Sequence, residues 1–571
     1  MLKNLRRHLP FVLLFFVFIA FRCAQLHACL HIAHPEEASL GLFIKHILEG
    51  SRPVSFFDYF LPYSGGSLIT CLLSVPFCKI AGVSILALRW CSILHNAAIL
   101  VLLYFFARRF WGERVALLTA FFYVLSPPSY SHYTSLFLSG EYFINFLDIT
   151  VLYLFLRLFF PVRPQGERRQ MLLTAALGFF SGLAVYFLFS SILFVSLAAG
   201  GWIILRGRFM RAKELFWYAA AFLIGVSPYI YYVSVHSLRY DLLAYFFPED
   251  PVSLAHKIKW FFTFLPAEFA RSFHFEFFSY YPGRFFWNYI YAFVMFAAWL
   301  YLFWINRGSF KRMFCNLRRR LPGQVFAVQP VIKPEIILLL VPVLFVIFCF
   351  FSPYCRPLVF HYRYFFPLYP VFYLLTAISI TTLFSGTVKM AKPFALAVVL
   401  LLSFISWRGV TGTFGKQDFW DASPLPEVIS FMKSEGIGYV YTDYFLKWQI
   451  LFESEERVIA SCDGLPFFYF SEFNGASDCR IYGNSYPVYE SVTDKAVRNN
   501  APYAYLFALN PRLPYYEFLE NYLCANKIGY SRKLIGGDFV VFYGLSRPLP
   551  PQEASLAASM EEYLRQKRAE L

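Results

Sequence analysis

The chain reads as a polytopic α-helical membrane protein of about eleven transmembrane helices, with a small extracytoplasmic α/β domain at its C-terminal end. Three observations predict this class. Of the 571 residues, 58% are hydrophobic, against about 45–50% in a soluble globular protein. Apolar stretches of near-spanning length recur from Phe11 to Trp407. The excess of 51 Lys and Arg over 35 Asp and Glu, a net charge of +16, falls mainly in the short segments between those stretches, as the positive-inside rule requires. A basic balance distributed in this way points to a membrane and not to nucleic acid.

Each span follows from that rule. Lys3, Arg6 and Arg7 hold the N-terminus in the cytoplasm, so the first span, near Phe11 to Leu30, runs outward. Its length, its Arg22 and several His, and the lack of a small-residue cleavage pattern argue against a removed signal peptide. Residues His34 to Gly66 then lie outside. Ser67 to Ala81 is apolar but short and reads as re-entrant or interfacial, because a crossing there would put the later basic loops outside. Leu88 to Arg109 returns, Val115 to Tyr130 leaves, and Tyr142 to Phe160 comes back to Arg163, Arg168 and Arg169. Leu172 to Phe189 and Ser190 to Leu205 form an out-and-back pair ending at Arg206, Arg208, Arg211 and Lys213. Leu215 to Val235 exits into a long loop, His236 to Phe286, and Trp287 to Ile305 returns to the basic segment Arg307 to Lys333. Ile336 to Phe351, Tyr364 to Phe384 and Phe394 to Trp407 complete the set, with Lys389 and Lys392 inside.

These assignments divide the chain into a membrane domain, residues 1–407, and an external domain, residues 408–571. In the latter, helices at Pro426 to Ser434, Tyr444 to Phe452 and Tyr515 to Ala525 alternate with strands at Gly438 to Thr442, Arg457 to Ser461, Tyr503 to Ala508 and Asp538 to Tyr543. The tail from Glu553 to Leu571 reads as a polar surface helix. Cys462 and Cys479 flank a loop and either form a disulfide in an oxidising compartment or remain free thiols. No CxxC is present, and no metal centre is expected. The chain also has no N-x-[ST] acceptor, which favours a bacterial inner or plasma membrane over an endoplasmic reticulum.

The string HPEEASLGLFIKHILEG, His34 to Gly50, carries the most chemistry. Leu40, Phe43, Ile44, Ile47 and Leu48 recur at helical spacing, with Lys45, His46 and Glu49 largely opposite, so the spacing predicts a helix lying in the membrane interface. Glu36 and Glu37 open it after Pro35, and acids in a first turn are favoured by the helix dipole. They read either as helix-start acids or as chemistry at the bilayer surface. Glu141 enters a later helix at the same outer face, and Asn145 and Asp148 follow on one polar stripe that faces a wet cavity or pairs with an Arg such as Arg22 or Arg89. The loop from His236 to Phe286 is either a mobile surface lid or a basic aromatic interfacial segment.

HPEEA followed by an amphipathic helix resembles the acidic first-loop motif of the GT-C superfamily of membrane glycosyltransferases, whose members include protein O-mannosyltransferases and lipid A aminoarabinose transferases. GVSILALRW resembles the segment leading into their next helix, SGEYFINF their second-loop acid, and HYRYFFPLYP, from His361 to Pro370, the R-Y-x-x-P run before a late span. Two departures stand out. Glu36 occupies a place where the superfamily most often has Asp, and the Arg and Lys that follow the acidic pair in the aminoarabinose branch are replaced here by Ala38 to Leu40 and Phe60 to Pro62.

The resemblance implies an inverting transfer of a sugar from a polyprenyl-phosphate donor to an unidentified extracytoplasmic acceptor. Glu36, Glu37 and Glu141 would be its catalytic acids, with Glu36 the first choice of base, since a carboxylate of ordinary pKa near 4.3 is ionised at neutral pH. Arg363, His361, Arg356, Arg89 and Arg22 are the candidate ligands of the lipid phosphate, and Asn145 and Asp148 the polar stripe of the cavity. Membrane lipids are the other partners. A divalent metal bridging Glu141 and phosphate has no ligand cluster to support it. The competing class is a transporter or flippase, although internal repeats and midplane charge pairs between broken helices are not evident.

Overall fold

A computed structural model describes residues 2–28, 34–51, 65–138, 143–161, 165–206, 210–235, 253–271, 286–318, 333–351, 362–385, 391–413, 424–462, 488–509 and 515–551, with a few short pieces between and after these. The chain forms two compact units. One comprises Met1–Ala28, Val54–Ser74 and Arg89–Lys416, the other Cys29–Pro53, Val75–Leu88 and Gln417–Leu571.

The first unit is helical. It contains α1 (Leu2–Ala28), most of α3 (Gly66–Ala81) and α4 (Ile85–Trp111), then α5 (Glu113–Val124), α6 (Pro128–Tyr133), α7 (Ile144–Phe159), α8 (Glu167–Phe187), α9 (Ile192–Arg206) and α10 (Ala212–Val235). There follow α11 (Leu254–Arg271), α12 (Phe286–Ile305), α13 (Arg307–Arg318), α14 (Pro334–Phe351), a 3₁₀ segment (Tyr362–Leu368), α15 (Tyr369–Ser385) and α16 (Ala391–Thr413). Among the described residues, five helices are long and apolar enough to cross a bilayer, and five shorter apolar helices accompany them. The protein is an integral membrane protein.

A helix coincides with each of the eleven predicted spans, and the differences are local. The span read at Val115 to Tyr130 is split, because Pro127 and Pro128 supply no backbone N–H: α5 ends at Val124 and α6 starts afresh at Pro128. At twelve residues, α5 is about 18 Å long. The last span runs on past Trp407 to Thr413. Within the loop His236 to Phe286 lies α11, while residues 236–252 and 272–285 fall outside the description.

Two devices hold these helices together. Arg108 at the C-terminus of α4 pairs with Glu113 at 2.6 Å, closing the turn through Gly112, whose φ of 86° suits glycine. Helices α8 and α10 approach backbone to backbone: a Cβ at Gly178 would come within 2.2 Å of the Tyr218 carbonyl oxygen, and one at Gly182 within 2.1 Å of that of Phe222. Small residues four apart permit this contact where lipid offers no hydrophobic drive.

The second unit carries α2 (Pro35–Glu49), α17 (Leu425–Ser434), β1 (Tyr439–Tyr441), α18 (Tyr444–Glu453), β2 (Ile459–Ser461), α19 (Val488–Arg498), β3 (Tyr503–Ala508), α20 (Tyr515–Ala525), β4 (Ser531–Ile535) and β5 (Phe539–Tyr543). The sheet order is β2-β1-β3-β5-β4, with β2, β1 and β3 parallel and β5 and β4 antiparallel. Its parallel strands are flanked by helices, and β3 and β5, buried along most of their length, read as near-continuous apolar runs. In the tail, Leu556 and Met560 are buried in the core beside β3 and α20, so the polar helix expected there presents at least one apolar side. Cys462 is disulfide-bonded, and Cys479 lies outside the described residues.

Candidate active site

Helix α2 is built at both ends. His34 stands in extended conformation and its Nδ1 accepts the Glu36 N–H at 3.3 Å, while Pro35 presets the first turn. Gly50 closes the helix in the left-handed region, with φ 67°. The Ser39 hydroxyl donates to the Glu36 carbonyl oxygen at 3.0 Å. Glu36 is half-buried, whereas every residue from Glu37 to Ile44 is buried, Glu37 completely. A helix floating in the interface would leave one face open; this one is enclosed on all sides over two turns.

Part of the enclosure is α18. Gly41 is the point of closest approach, since a Cβ there would sit 2.4 Å from the Phe452 ring and 2.9 Å from Leu88. Beyond it, the polar side expected to face water is tied down. Lys45 donates to Glu456 Oε2 at 2.9 Å, and His46 Nε2 lies 3.0 and 3.1 Å from its two carboxylate oxygens. The Tyr489 hydroxyl donates to the same carboxylate. Burial pushes the Glu456 carboxyl up, but the bonds from His46, Tyr489 and Lys45 outweigh it and hold the pKa at about 2.

A second polar cluster lies in the membrane unit. Arg22 is buried, and its Nη1 donates to the Ser131 carbonyl oxygen, to Ser131 Oγ at 2.7 Å, and to Gln25 Oε1 and Ser135 Oγ at 3.2 Å each. Its Nε and Nη2 have no hydrogen-bond partner among the described residues. Nearby, Asn96 donates to the Thr134 carbonyl oxygen at 2.7 Å and accepts the Tyr123 hydroxyl at 2.8 Å. Tyr130 stacks on Tyr369 with ring centroids 4.8 Å apart.

The predicted stripe on α7 divides. Asn145 donates to the Tyr130 hydroxyl at 2.9 Å, and Asp148 accepts the Ser191 hydroxyl at 2.7 Å, its other oxygen Oδ2 having no hydrogen-bond partner among the described residues. The expected alternative of an Arg22–Asp148 pair is not what the structure contains, because Arg22 is committed to α6 and the residues just after it. Arg89 is buried near the start of α4. Glu141, His361 and Arg356 lie outside the described residues, and of Arg363 only the backbone, in the 3₁₀ segment, is described. Among the described residues no group of three or more His, Cys, Asp and Glu is placed to hold a metal.

Sequence reasoning missed Glu456 and Tyr489, and it took Lys45 and His46 for a solvated face. The run ESEER after α18 carries no visible signal, since the link to α2 spans 411 residues in sequence from Lys45 to Glu456. Ser131 and Ser135, four apart and both bonded to Arg22, were likewise not singled out.

Set beside solved structures, this architecture has clear counterparts. ArnT of Cupriavidus metallidurans bound to undecaprenyl phosphate aligns with TM-score 0.60 over 95% of this chain and 99% of that one, at 13% identity. Its apo form gives 0.56 over 94% and 99%, at 13% identity. The oligosaccharyltransferase of Archaeoglobus fulgidus in the apo form gives 0.52 over 97% and 76%, also at 13% identity. The chain has the GT-C fold that its motifs resemble. More particularly, residues 71–232 match the family model described as dolichyl-phosphate-mannose-protein mannosyltransferase. No curated protein matches the chain in sequence.

Proposed function

We propose that the protein is an inverting glycosyltransferase that moves a sugar from a polyprenyl-phosphate donor to an acceptor hydroxyl or amine outside the cytoplasm. The observation that carries this reading is α2, where a half-buried Glu36 opens a capped helix that is otherwise enclosed from Glu37 to Ile44. A rigid helix with one accessible acid at its start suits a base that must be held in place. Support comes from the GT-C fold, from the mannosyltransferase family model and from the undecaprenyl phosphate bound in the similar ArnT structure.

In the reaction, Glu36 takes the proton of the acceptor as its oxygen or nitrogen attacks the anomeric carbon. The anomeric C–O bond breaks on the opposite face, and the electron pair leaves with the polyprenyl phosphate. That leaving group is already anionic and needs charge stabilisation more than a proton. Arg22, with two guanidinium nitrogens unpartnered among the described residues, is one candidate for it; Arg89, Arg356, His361 and Arg363 are the others. Glu37 and Glu141 would assist from the same outer face, and residues 408–571 would lie outside and help to bind acceptor.

Two experiments test the reading. With polyprenyl-phosphate mannose as donor and membrane extract as acceptor source, Glu36→Gln should lower turnover by roughly 10² or more while the protein still binds undecaprenyl phosphate. Wild-type turnover in both Glu36→Gln and Glu37→Gln would remove the acid pair from catalysis. For orientation, a reporter fused after Thr413 should report the outside and one fused within residues 319–332 the cytoplasm. Both on one side would overturn the topology.

A further inference from the structure

Glu455 and Glu456 follow α18 with φ of 54° and 62°, the left-handed region that L side chains seldom occupy. Their N–H groups close the helix on the Phe452 and Leu451 carbonyl oxygens at 3.1 and 2.8 Å. This is the place where glycine or asparagine ordinarily stands, and two adjacent glutamates there are strained. Capping alone does not require a carboxylate at Glu456. What requires it is the set of donors around it: Lys45 and His46 from α2, and Tyr489 from α19. Lys45 also reaches Glu49, but only at 3.9 Å, so Glu456 is its main partner. Three elements, α2, the turn after α18 and α19, thus converge on one carboxylate.

Helix α2 is pinned at Gly41 by the Phe452 ring and, one turn further on, by Glu456. Two fixed points on one helix set its rotation and its axial position. Glu36 lies nine residues before Lys45, about 14 Å along a rigid α-helix, and moves with it.

We propose that Glu456 is a positioning residue: by gripping Lys45 and His46 it fixes the register of α2 and so the place of the Glu36 carboxylate. The proposal rests on the reading of Glu36 as the base.

The test uses the full chain in lipid nanodiscs with polyprenyl-phosphate mannose. Glu456→Gln keeps shape but removes charge, and it should lower kcat roughly ten- to a hundredfold, as expected for a base misplaced by about an ångström, with KM for donor within about twofold. In a Glu36→Gln background the same change should lower the residual rate by less than about twofold, because there is no base left to misplace. Amide exchange across residues 36–44 should quicken while β1 and β3 keep their protection. Should Glu456→Gln fail to fold, Lys45→Gln with His46→Gln breaks the grip from the other side and should reproduce the kcat loss. An equal fold-loss in both backgrounds would mean loss of folded protein and would overturn the positioning role. So would wild-type kcat in Glu456→Gln beside an inactive Glu36→Gln. Wild-type turnover in Glu36→Gln itself would instead overturn the reading of the base.

Discussion

The carboxylate of Glu456 receives donors from Lys45, His46 and Tyr489 and has both oxygens engaged. Arg22 is more deeply buried, yet it spends one guanidinium nitrogen on four neutral oxygens and has two nitrogens with no hydrogen-bond partner among the described residues. The first cluster balances opposite charges and locks a helix. The second leaves a cation in a membrane unit whose described partners are hydroxyl and carbonyl dipoles and the face of the Phe18 ring, which stabilise a guanidinium less than an anion does. Satisfaction suits a joint, and spare donor capacity names the place to test for a bound anion.

The largest expected effect separates the two. Arg22→Met preserves bulk and removes the charge, and it should weaken undecaprenyl phosphate binding roughly tenfold to a hundredfold, as losing one or two charge-assisted hydrogen bonds would. Glu456→Gln should leave that affinity unchanged. Binding by native mass spectrometry or thermophoresis decides it, and unaltered affinity in Arg22→Met would reduce Arg22 to a brace between α1 and α6.

A smaller effect concerns acid. Glu456 has its folded pKa held at about 2, below the ordinary glutamate value of 4.5. Its contribution is therefore fully present above pH 4.5 and is lost as the pH falls from there through about 2. Discounted for its partial exposure, that contribution is about 1–2 kcal/mol. Thermal melts at pH 7 and pH 3 should show a smaller acid penalty in Glu456→Gln than in wild type; equal penalties would mean that the carboxylate is not preferentially stabilised when ionised.

The smallest effect is at Lys45. Its side chain is 23% exposed, so Lys45→Gln should cost about 0.5–1 kcal/mol of stability. A loss several times greater would show the grip to be less screened than its exposure suggests.

How far the sequence speaks depends on the range of the interaction involved. The spans were legible because hydropathy and basic flanks are local signals, and the helix at HPEE because Pro35, its first-turn acids and Gly50 are local caps. Seven of the strands and helices from Leu425 onward were legible from alternation, but α19 and β4 were not: in β4, Ser531 to Leu534 are exposed and only Ile535 is buried, so an apolar face never shows. The break at Pro127–Pro128 was written in the sequence and overlooked in favour of span length. The partners of Lys45, His46 and Arg22 were not legible at all, since a tertiary contact to an element a hundred residues or more along the chain leaves no periodicity. Even where α7 showed its stripe, Asn145 and Asp148 turned to different helices.

The same exposed β4 that hid from pattern reading has a consequence for how the domain behaves in company. It is one outer strand of the five-stranded sheet, and an outer strand offers unpaired backbone groups to any passing strand from a second molecule. Here that margin carries Arg532 and Lys533, with Arg532 anchored to Glu520 at 3.1 Å. At the opposite margin, β2 is only three residues long. Charge on one side and brevity on the other make the sheet a poor template for growth.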